Sequence, residues 1–162
     1  MTDTEREVVT VPRLLESRTV SRELARIAID RAIVESVALG CLTCIAVLDQ
    51  AGHLVSYDRM DGAPFQSAQH AQDKALSAAG NRVATHEMWE YVKDDAWLRQ
   101  GIGKVQGLTL LGGGVPIRFG DEVIGAIGVS GSCGMTEDRA IAEAAVGSIL
   151  AALGSSTASE TR

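Results

Sequence analysis

Aromatic and basic side chains are both scarce in this sequence. Phe, Trp and Tyr make up 4% of the 162 residues, and 15 Lys+Arg stand against 21 Asp+Glu, which gives a net charge of −6. Few aromatic rings leave few surfaces on which single-stranded bases could stack. An acidic chain also gains little from the counterion release that drives binding to phosphates. Both shortages argue against a nucleic-acid partner.

Long apolar segments and cysteines are scarce as well. Residues 1–20 carry charges throughout and lack the apolar stretch of a signal peptide or a transmembrane helix. We therefore expect a cytoplasmic protein with no membrane partner. The three cysteines, Cys41, Cys44 and Cys133, cannot all pair within one chain. Free thiols are the usual state in a reducing compartment, and no second cysteine pair is present to complete a zinc site, so we predict no metal.

Hydrophobic residues, by contrast, are plentiful at 46%, and there are 17 glycines. A chain of this length forms one domain and can bury a core without disulfides or a structural metal. The sequence predicts a flexible arm at residues 1–16, one domain at 17–153 and a disordered tail at 154–162. Residues 81–107 have the weakest pattern and contain both tryptophans.

The spacing of apolar residues predicts three main helices and five strands. One helix follows an N-cap at Thr19 or Ser21, one covers Phe65–Ala79, and one runs from Glu137 to about Leu153 behind a cap at Thr136. The predicted strands are residues 44–48, 53–59, 108–111, 115–119 and 123–130. Hairpin turns make the sheet antiparallel. We predict an α+β single domain in which helices pack on a five-stranded antiparallel sheet.

Several ordered motifs resemble those of the GlcG/HbpS haem-degrading-like family. They are Asp49-x-x-Gly52-x-Leu54, Arg59 to Ala63, Lys74-Ala75, Gly112 to Pro116, Gly125 to Gly131, and Asp138-x-x-Ile141-Ala142, within residues 19–150. The resemblance implies an antiparallel five-stranded sheet between helices and assembly into homo-oligomers. It also implies haem binding or degradation for some relatives and other small-molecule roles for others. Residues 86–106 depart from the shorter glycine- and proline-rich loop that the family leads us to expect, which favours a different or better-enclosed ligand.

Three side chains are candidates for catalysis. His70 and Lys74 lie one turn apart on the second predicted helix. They could move protons, with His70 also a candidate metal or haem ligand, or they could simply form a solvated polar face. Lys74 also falls on a family motif. Cys133 precedes the last helix, whose N-terminus would lower the thiol pKa and favour a nucleophile, unless Cys133 is only a small loop residue.

Glycines near strand ends are candidates for substrate binding. Gly113 and Gly114, together with Ser130 and Gly131, could expose backbone N–H groups to one cavity and bind a carboxylate or an oxyanion. The simpler interpretation is tight-turn geometry. That these strand ends share one cavity is partly inferred from the fold that the family resemblance implies.

Other candidates surround the break after the second strand and the unpatterned segment. Arg59 and Asp61 could bind substrate or form a structural ion pair, and Met60 could line a pocket or fill the core. Trp89 could wall a planar ligand, or it could be a core lid or an oligomer anchor. His86 in the same segment is the second candidate haem ligand.

Two functions fit these observations. The first is a cytoplasmic small-molecule binding protein, or an enzyme of the lyase or isomerase type, that acts on a small aromatic or organic acid and requires no cofactor. The alternative is a haem-binding or haem-degrading homo-oligomer, with His70 or His86 as the iron ligand. In both cases the expected partners are a small molecule and further copies of the chain, as a dimer or higher oligomer.

Overall fold

The computed structural model describes residues 14–159, with side chains described up to residue 154. This part of the chain contains five helices and four strands. Their order along the chain is α1 (Arg22–Ala38), β1 (Thr43–Asp49), β2 (Leu54–Arg59), α2 (Ser67–Asn81), α3 (Thr85–Val92), α4 (Ala96–Ile102), β3 (Gly114–Phe119), β4 (Glu122–Gly131) and α5 (Met135–Ser159). None of the helices in this described part is both long and apolar enough to cross a membrane.

The strands form one antiparallel sheet in the order β2-β1-β4-β3. The α+β antiparallel architecture is therefore confirmed, but the prediction of five strands is wrong. The apolar segment 108–111 forms no strand, and one of its backbone groups is bonded to a helix instead of a neighbouring strand. The Ser77 hydroxyl of α2 accepts a hydrogen bond from the Thr109 N–H at 2.8 Å, while its own proton has the Asp73 carbonyl at 2.7 Å as the nearer acceptor and the Gly107 carbonyl at 3.2 Å as the farther one.

The two faces of the sheet bury side chains of different size. Side chains alternate along a strand, so Ile45 and Val47 of β1 point toward α1 and α5, where they join the main core. Cys44 and Ala46 point the other way, toward α2. The molecule is thus layered as a pair of helices, a sheet and a single helix.

Small residues let α2 lie close to the sheet. A Cβ added at Gly128 of β4 would overlap the Ala71 carbonyl, and one at Gly114 of β3 would overlap the Lys74 carbonyl. These glycines are required by close packing of a helix on a sheet, which is a different reason from the ligand cavity predicted for this segment.

Helix boundaries follow the predicted caps in part. Ser21 caps α1 through a hydrogen bond from the Leu24 N–H, as predicted. Helix α5 begins at Met135, so Thr136 lies inside it and is not the cap predicted for it, and the helix continues to Ser159, past the predicted end near Leu153. The unpatterned segment contains α3 and α4. Most of the predicted arm, residues 1–13, lies outside the described residues, as do residues 160–162 of the predicted tail, so the arm and the domain limits stay predictions.

Candidate functional site

An open cavity of about 550 Å³ lies between α3, the segment before β3 and the first turns of α5. Its lining residues are His86, Trp89, Leu110, Leu111, Gly112, Met135, Thr136 and Arg139. Most of this surface is apolar, with a few polar groups among the lining residues. A volume of several hundred Å³ with such a lining is typical of small-molecule sites.

His86 gives the cavity a nitrogen donor. It lies in the first turn of α3, and Trp89 follows it three residues later, on the same side of the helix. The His86 Nδ1 atom is buried and has no hydrogen-bond partner among the described residues. A buried polar atom left unpaired costs about 1–3 kcal/mol; because Nδ1 is covered, a ligand in the cavity would meet the other ring nitrogen, Nε2.

Arg139 gives the cavity a positive charge. Its Nε donates to the Glu143 carboxylate one turn later at 2.7 Å, and both side chains are about half exposed. Thr136 and Met135, which come from the same end of α5, also line the cavity. The cavity therefore combines an imidazole, an indole and a guanidinium over an apolar surface.

A buried ion pair lies directly behind the cavity wall. Lys74 Nζ of α2 donates to Asp138 Oδ2 of α5 at 2.7 Å and to the Val129 carbonyl at 2.9 Å. The Lys74 and Asp138 side chains are 2% and 7% exposed, and Asp138 Oδ1 has no partner within the described part of the chain. Burial outweighs their mutual attraction, so the pKa of Lys74 lies below its ordinary value and the pKa of Asp138 above it.

The ion pair fixes the position of the cavity wall. Asp138 lies between Thr136 and Arg139, both of which line the cavity. On the other side, a Cβ at Gly113 would come within 3.2 Å of Lys74 Nζ and 2.9 Å of the Asp138 Cβ. Lys74 is thus a positioning residue for the first turn of α5, and no observation brings its amine into the cavity.

A second apolar cavity, of about 570 Å³, lies beneath α4. Met88 and Val92 of α3 are buried at its base, and Asn81 and Tyr91 are the polar residues among those lining it. It has no charged group in its lining, so the cavity beside His86 is the better candidate for a site with chemistry.

The structure does not bring the three predicted catalytic residues together. His70 is exposed on α2, whereas Lys74 points into the core from the same helix. Cys133 is joined to Cys41 in a disulfide with a Cα–Cα distance of 5.6 Å. The expectation of free thiols is therefore wrong for both of these residues, and Cys133 in this state has no thiol to act as a nucleophile. Cys44 is free, as predicted, and it is buried.

The register of the two central strands explains this disulfide. Thr43 of β1 pairs with Gly131 of β4, and the pairing continues beyond the strands, because the Ser132 N–H donates to the Leu42 carbonyl at 3.0 Å. Cys41 and Cys133 are therefore neighbours although 92 positions separate them in the sequence.

The predicted substrate-binding glycines and serine are engaged in the fold. The Gly114 N–H donates to the Thr85 hydroxyl at 3.0 Å, and the Gly113 carbonyl accepts from the Val129 N–H at 2.9 Å. Ser130 is buried and Gly131 is half-buried in the ladder with β1. None of these four residues lines the cavity, whereas Gly112, which precedes them, does.

Arg59, Met60 and Asp61 lie at the other edge of the sheet. They follow or end β2, and the Met60 N–H donates to the Thr43 carbonyl at 3.0 Å. Three strand spacings separate β2 from β3, which is roughly 14 Å at about 4.8 Å each. Within one chain, these residues therefore do not line the cavity beside His86.

Sequence reasoning identified one wall of the cavity and missed the other. His86 and Trp89 were predicted as ligand-binding residues, and both line it. Met135, Thr136 and Arg139 were not assigned to ligand binding. The nearest available signal was their position around Asp138, which belongs to a family motif, but nothing in the sequence brings α3 and α5 together.

Comparison with known proteins gives consistent matches. The family model described as haem degrading protein HbpS-like matches residues 20–147. Protein GlcG of Escherichia coli is 40% identical over 86 residues, which are 53% of this chain and 62% of GlcG. The matched part is thus less than two thirds of the length of GlcG.

Two crystal structures extend the match to the fold. Klebsiella pneumoniae ORFY superposes with a TM-score of 0.80 at 26% identity, over 88% of this chain and 99% of ORFY. PduOC, in a complex with haem, gives a TM-score of 0.74 at 26% identity, over 80% of this chain and 94% of PduOC. The motifs, the layered fold and the family match together place this chain in the HbpS-like family.

Proposed function

We propose that this protein binds haem in the cavity between α3 and α5. The observation that carries the proposal is one apolar cavity lined by the imidazole of His86, the indole of Trp89 and the guanidinium of Arg139. The haem complex of PduOC, a protein of the same fold, supports it.

The residues of the cavity fit the chemical requirements of haem. A porphyrin needs a flat apolar contact, which Trp89, Leu110 and Leu111 supply. Its carboxylates need a cation, which is Arg139. Haem iron takes imidazole and thioether ligands, and His86 would hold it. Bound haem would supply redox-active iron, while the chain would bind and orient it.

The geometry gives less support to a lyase or isomerase of small aromatic acids. Such an enzyme needs an acid and a base within hydrogen-bond reach of one substrate. The residues predicted for this role are an exposed histidine, a lysine held in a buried ion pair and a disulfide-bonded cysteine. We therefore prefer haem binding, the alternative function inferred from the sequence. Aromatic acids are included in the test as competing ligands.

We also propose that the chain acts as a homo-oligomer. Several large apolar side chains are exposed in the single chain, among them Phe65, Tyr91 and Trp97. Aromatic side chains are enriched at protein interfaces. Light scattering coupled to size-exclusion chromatography gives the mass directly, and a monomer at micromolar concentration would contradict this part of the proposal.

The test is a haemin titration followed in the Soret region. We expect saturable binding by the wild type, and a loss of affinity on the order of tenfold or more for His86→Ala, since removing groups of a metal's ligand shell typically costs this much. His70→Ala is the matched control, because His70 was the other predicted ligand and lies outside the cavity.

Three outcomes would contradict the proposal. A Soret band that stays unshifted on addition of haemin would show that there is no haem site. Normal haemin binding by His86→Ala, together with loss of haemin binding by His70→Ala, would place the iron ligand on α2 instead. A panel of aromatic acids is tested in parallel by thermal shift, because a ligand of the native state raises the melting temperature. An aromatic acid that stabilises the protein where haemin does not would favour the small-acid function.

A further inference from the structure

The Cys41–Cys133 disulfide connects two segments at one end of the sheet. Cys41 follows α1 and is 1% exposed, while Cys133 is exposed in the loop between β4 and α5. An external thiol can therefore reach the disulfide at the sulfur of Cys133. Exposed disulfides are the ones that take part most readily in thiol exchange.

The loop that holds Cys133 leads directly into the cavity wall. Met135, the first residue of α5, is two positions away and lines the cavity, as do Thr136 and Arg139 in the following turn. Residues 132–134 are therefore joined, through less than two turns of helix, to three of the lining side chains, in a turn that the Lys74–Asp138 ion pair also holds.

Few other contacts hold this loop. The Ser132 N–H donates to the Leu42 carbonyl, and the Ser132 hydroxyl accepts from the Leu42 N–H, both at 3.0 Å. Both bonds join the same short segments that the disulfide joins. The Gly134 N–H donates to Glu137 within the start of α5, so this contact does not tether the loop to the sheet. Within the described residues, the disulfide is thus the one covalent cross-link that holds the loop leading to the cavity wall.

We propose that the Cys41–Cys133 disulfide is a thiol-exchange site, and that its reduction by a low-molecular-weight thiol changes ligand affinity in the adjacent cavity. The effect on affinity rests on the proposed haem function, whereas the exchange and the loosening of the loop do not. A buried thiolate is disfavoured by desolvation, so Cys41 takes up a proton once it is released.

The exchange is balanced by two equivalents of the external thiol. A thiolate attacks Cys133 Sγ, a sulfur–sulfur bond forms between them, and the bond to Cys41 Sγ breaks with its electron pair on Cys41, which is then protonated. A second thiolate attacks the mixed disulfide, releases Cys133 as a thiolate and leaves the external thiol oxidised as its own disulfide. The protein disulfide is reduced by two electrons.

The experiment uses the full chain before and after treatment with dithiothreitol, and with reduced glutathione as the mild exchange probe. Thiols titrated after denaturation should number one in the oxidised protein, from Cys44, and three in the reduced one. A glutathione adduct, located by peptide mass spectrometry, is expected on Cys133. Cys133→Ser should behave like the reduced form in both conditions, and Cys44→Ser should still respond.

Affinity and loop protection are then measured in parallel. We expect the haemin Kd of the two redox forms to differ by on the order of fivefold or more, and hydrogen exchange at residues 132–139 to be faster in the reduced form. Three thiols in the unreduced protein, an adduct found on Cys41 alone, or equal exchange in both forms would overturn the inference. Equal Kd values with faster exchange would overturn the coupling to the cavity. If haemin binds neither form, the proposed function fails, and the thiol counts and hydrogen exchange still decide whether the exchange site is real.

Discussion

Replacing Lys74 by methionine should destabilise the protein strongly. The change removes the charge and both hydrogen bonds of the amine while keeping a side chain of similar length. It leaves the Asp138 carboxylate buried, with Oδ2 deprived of its partner and Oδ1 unpaired from the start. Breaking a buried ion pair from one side costs about 3–5 kcal/mol. We expect a loss of that size in the free energy of unfolding near neutral pH.

The pH dependence of the free energy of unfolding gives a second, independent test of this prediction. The pKa of Asp138 is already raised by burial, and losing Lys74 raises it further. A carboxyl whose folded pKa exceeds its unfolded value stabilises the fold below the unfolded pKa, and this stabilisation is lost as the pH rises through the folded pKa. The Lys74→Met variant should therefore recover stability relative to the wild type as the pH is lowered from neutral toward the unfolded pKa of Asp.

Urea unfolding followed by far-UV circular dichroism, at one fixed protein concentration, measures both effects. The double variant Lys74→Met/Asp138→Leu removes both charges and should be more stable than the single variant, since a buried pair replaced by apolar residues is often close to neutral. A single variant that loses less than about 1 kcal/mol, or whose loss does not depend on pH, would refute the view of this pair as a buried, mutually dependent unit.

Two further predictions follow from close contacts in the fold. Gly128→Ala should lose about 1–3 kcal/mol in the urea assay, because its Cβ would overlap the Ala71 carbonyl and push α2 from the sheet. Gly80→Ala in α2 is the matched control, because its Cβ would meet open space. Its free energy of unfolding should stay unchanged or rise by up to about 1 kcal/mol. Equal losses in the two variants would show that close packing is not the cause. Thr85→Val should lose about 1–3 kcal/mol, since the buried Gly114 N–H would lose its acceptor. The Thr85→Val loss is measured by the same unfolding assay, and an unchanged midpoint would mean that this N–H finds another partner.

Local pattern predicted most of the elements, and long-range pairing explains the errors. The helices α1, α2 and α5 and both hairpins follow from spacing and caps. Residues 108–111 have the composition of a strand, but the Ser77 hydroxyl of α2 takes the Thr109 N–H that a neighbouring strand would need. The Cys41–Cys133 bond depends on the register of β1 against β4, which composition does not reveal.

The candidate site shows the same division. His86 and Trp89 share one short helix, so the sequence identified them together, whereas Arg139 reaches the cavity from the far end of the chain. The spacing of His70 and Lys74, one turn apart, is a less reliable guide. Residues four apart on an α-helix differ by about 40° around its axis, and this rotation takes Lys74 into the core while His70 stays exposed.

The unequal faces of the sheet make the two sides of the molecule unequal in their tolerance of sequence change. Toward α1 and α5, the core is built of Ile and Val side chains that can exchange for one another if their neighbours repack. Toward α2, the contacts are made by Ala, Gly and backbone atoms, so almost any substitution there adds volume where no space exists. Variation among functional forms of this domain should therefore accumulate on the two-helix side, while α2 stays fixed as the reference against which Lys74 positions the cavity wall.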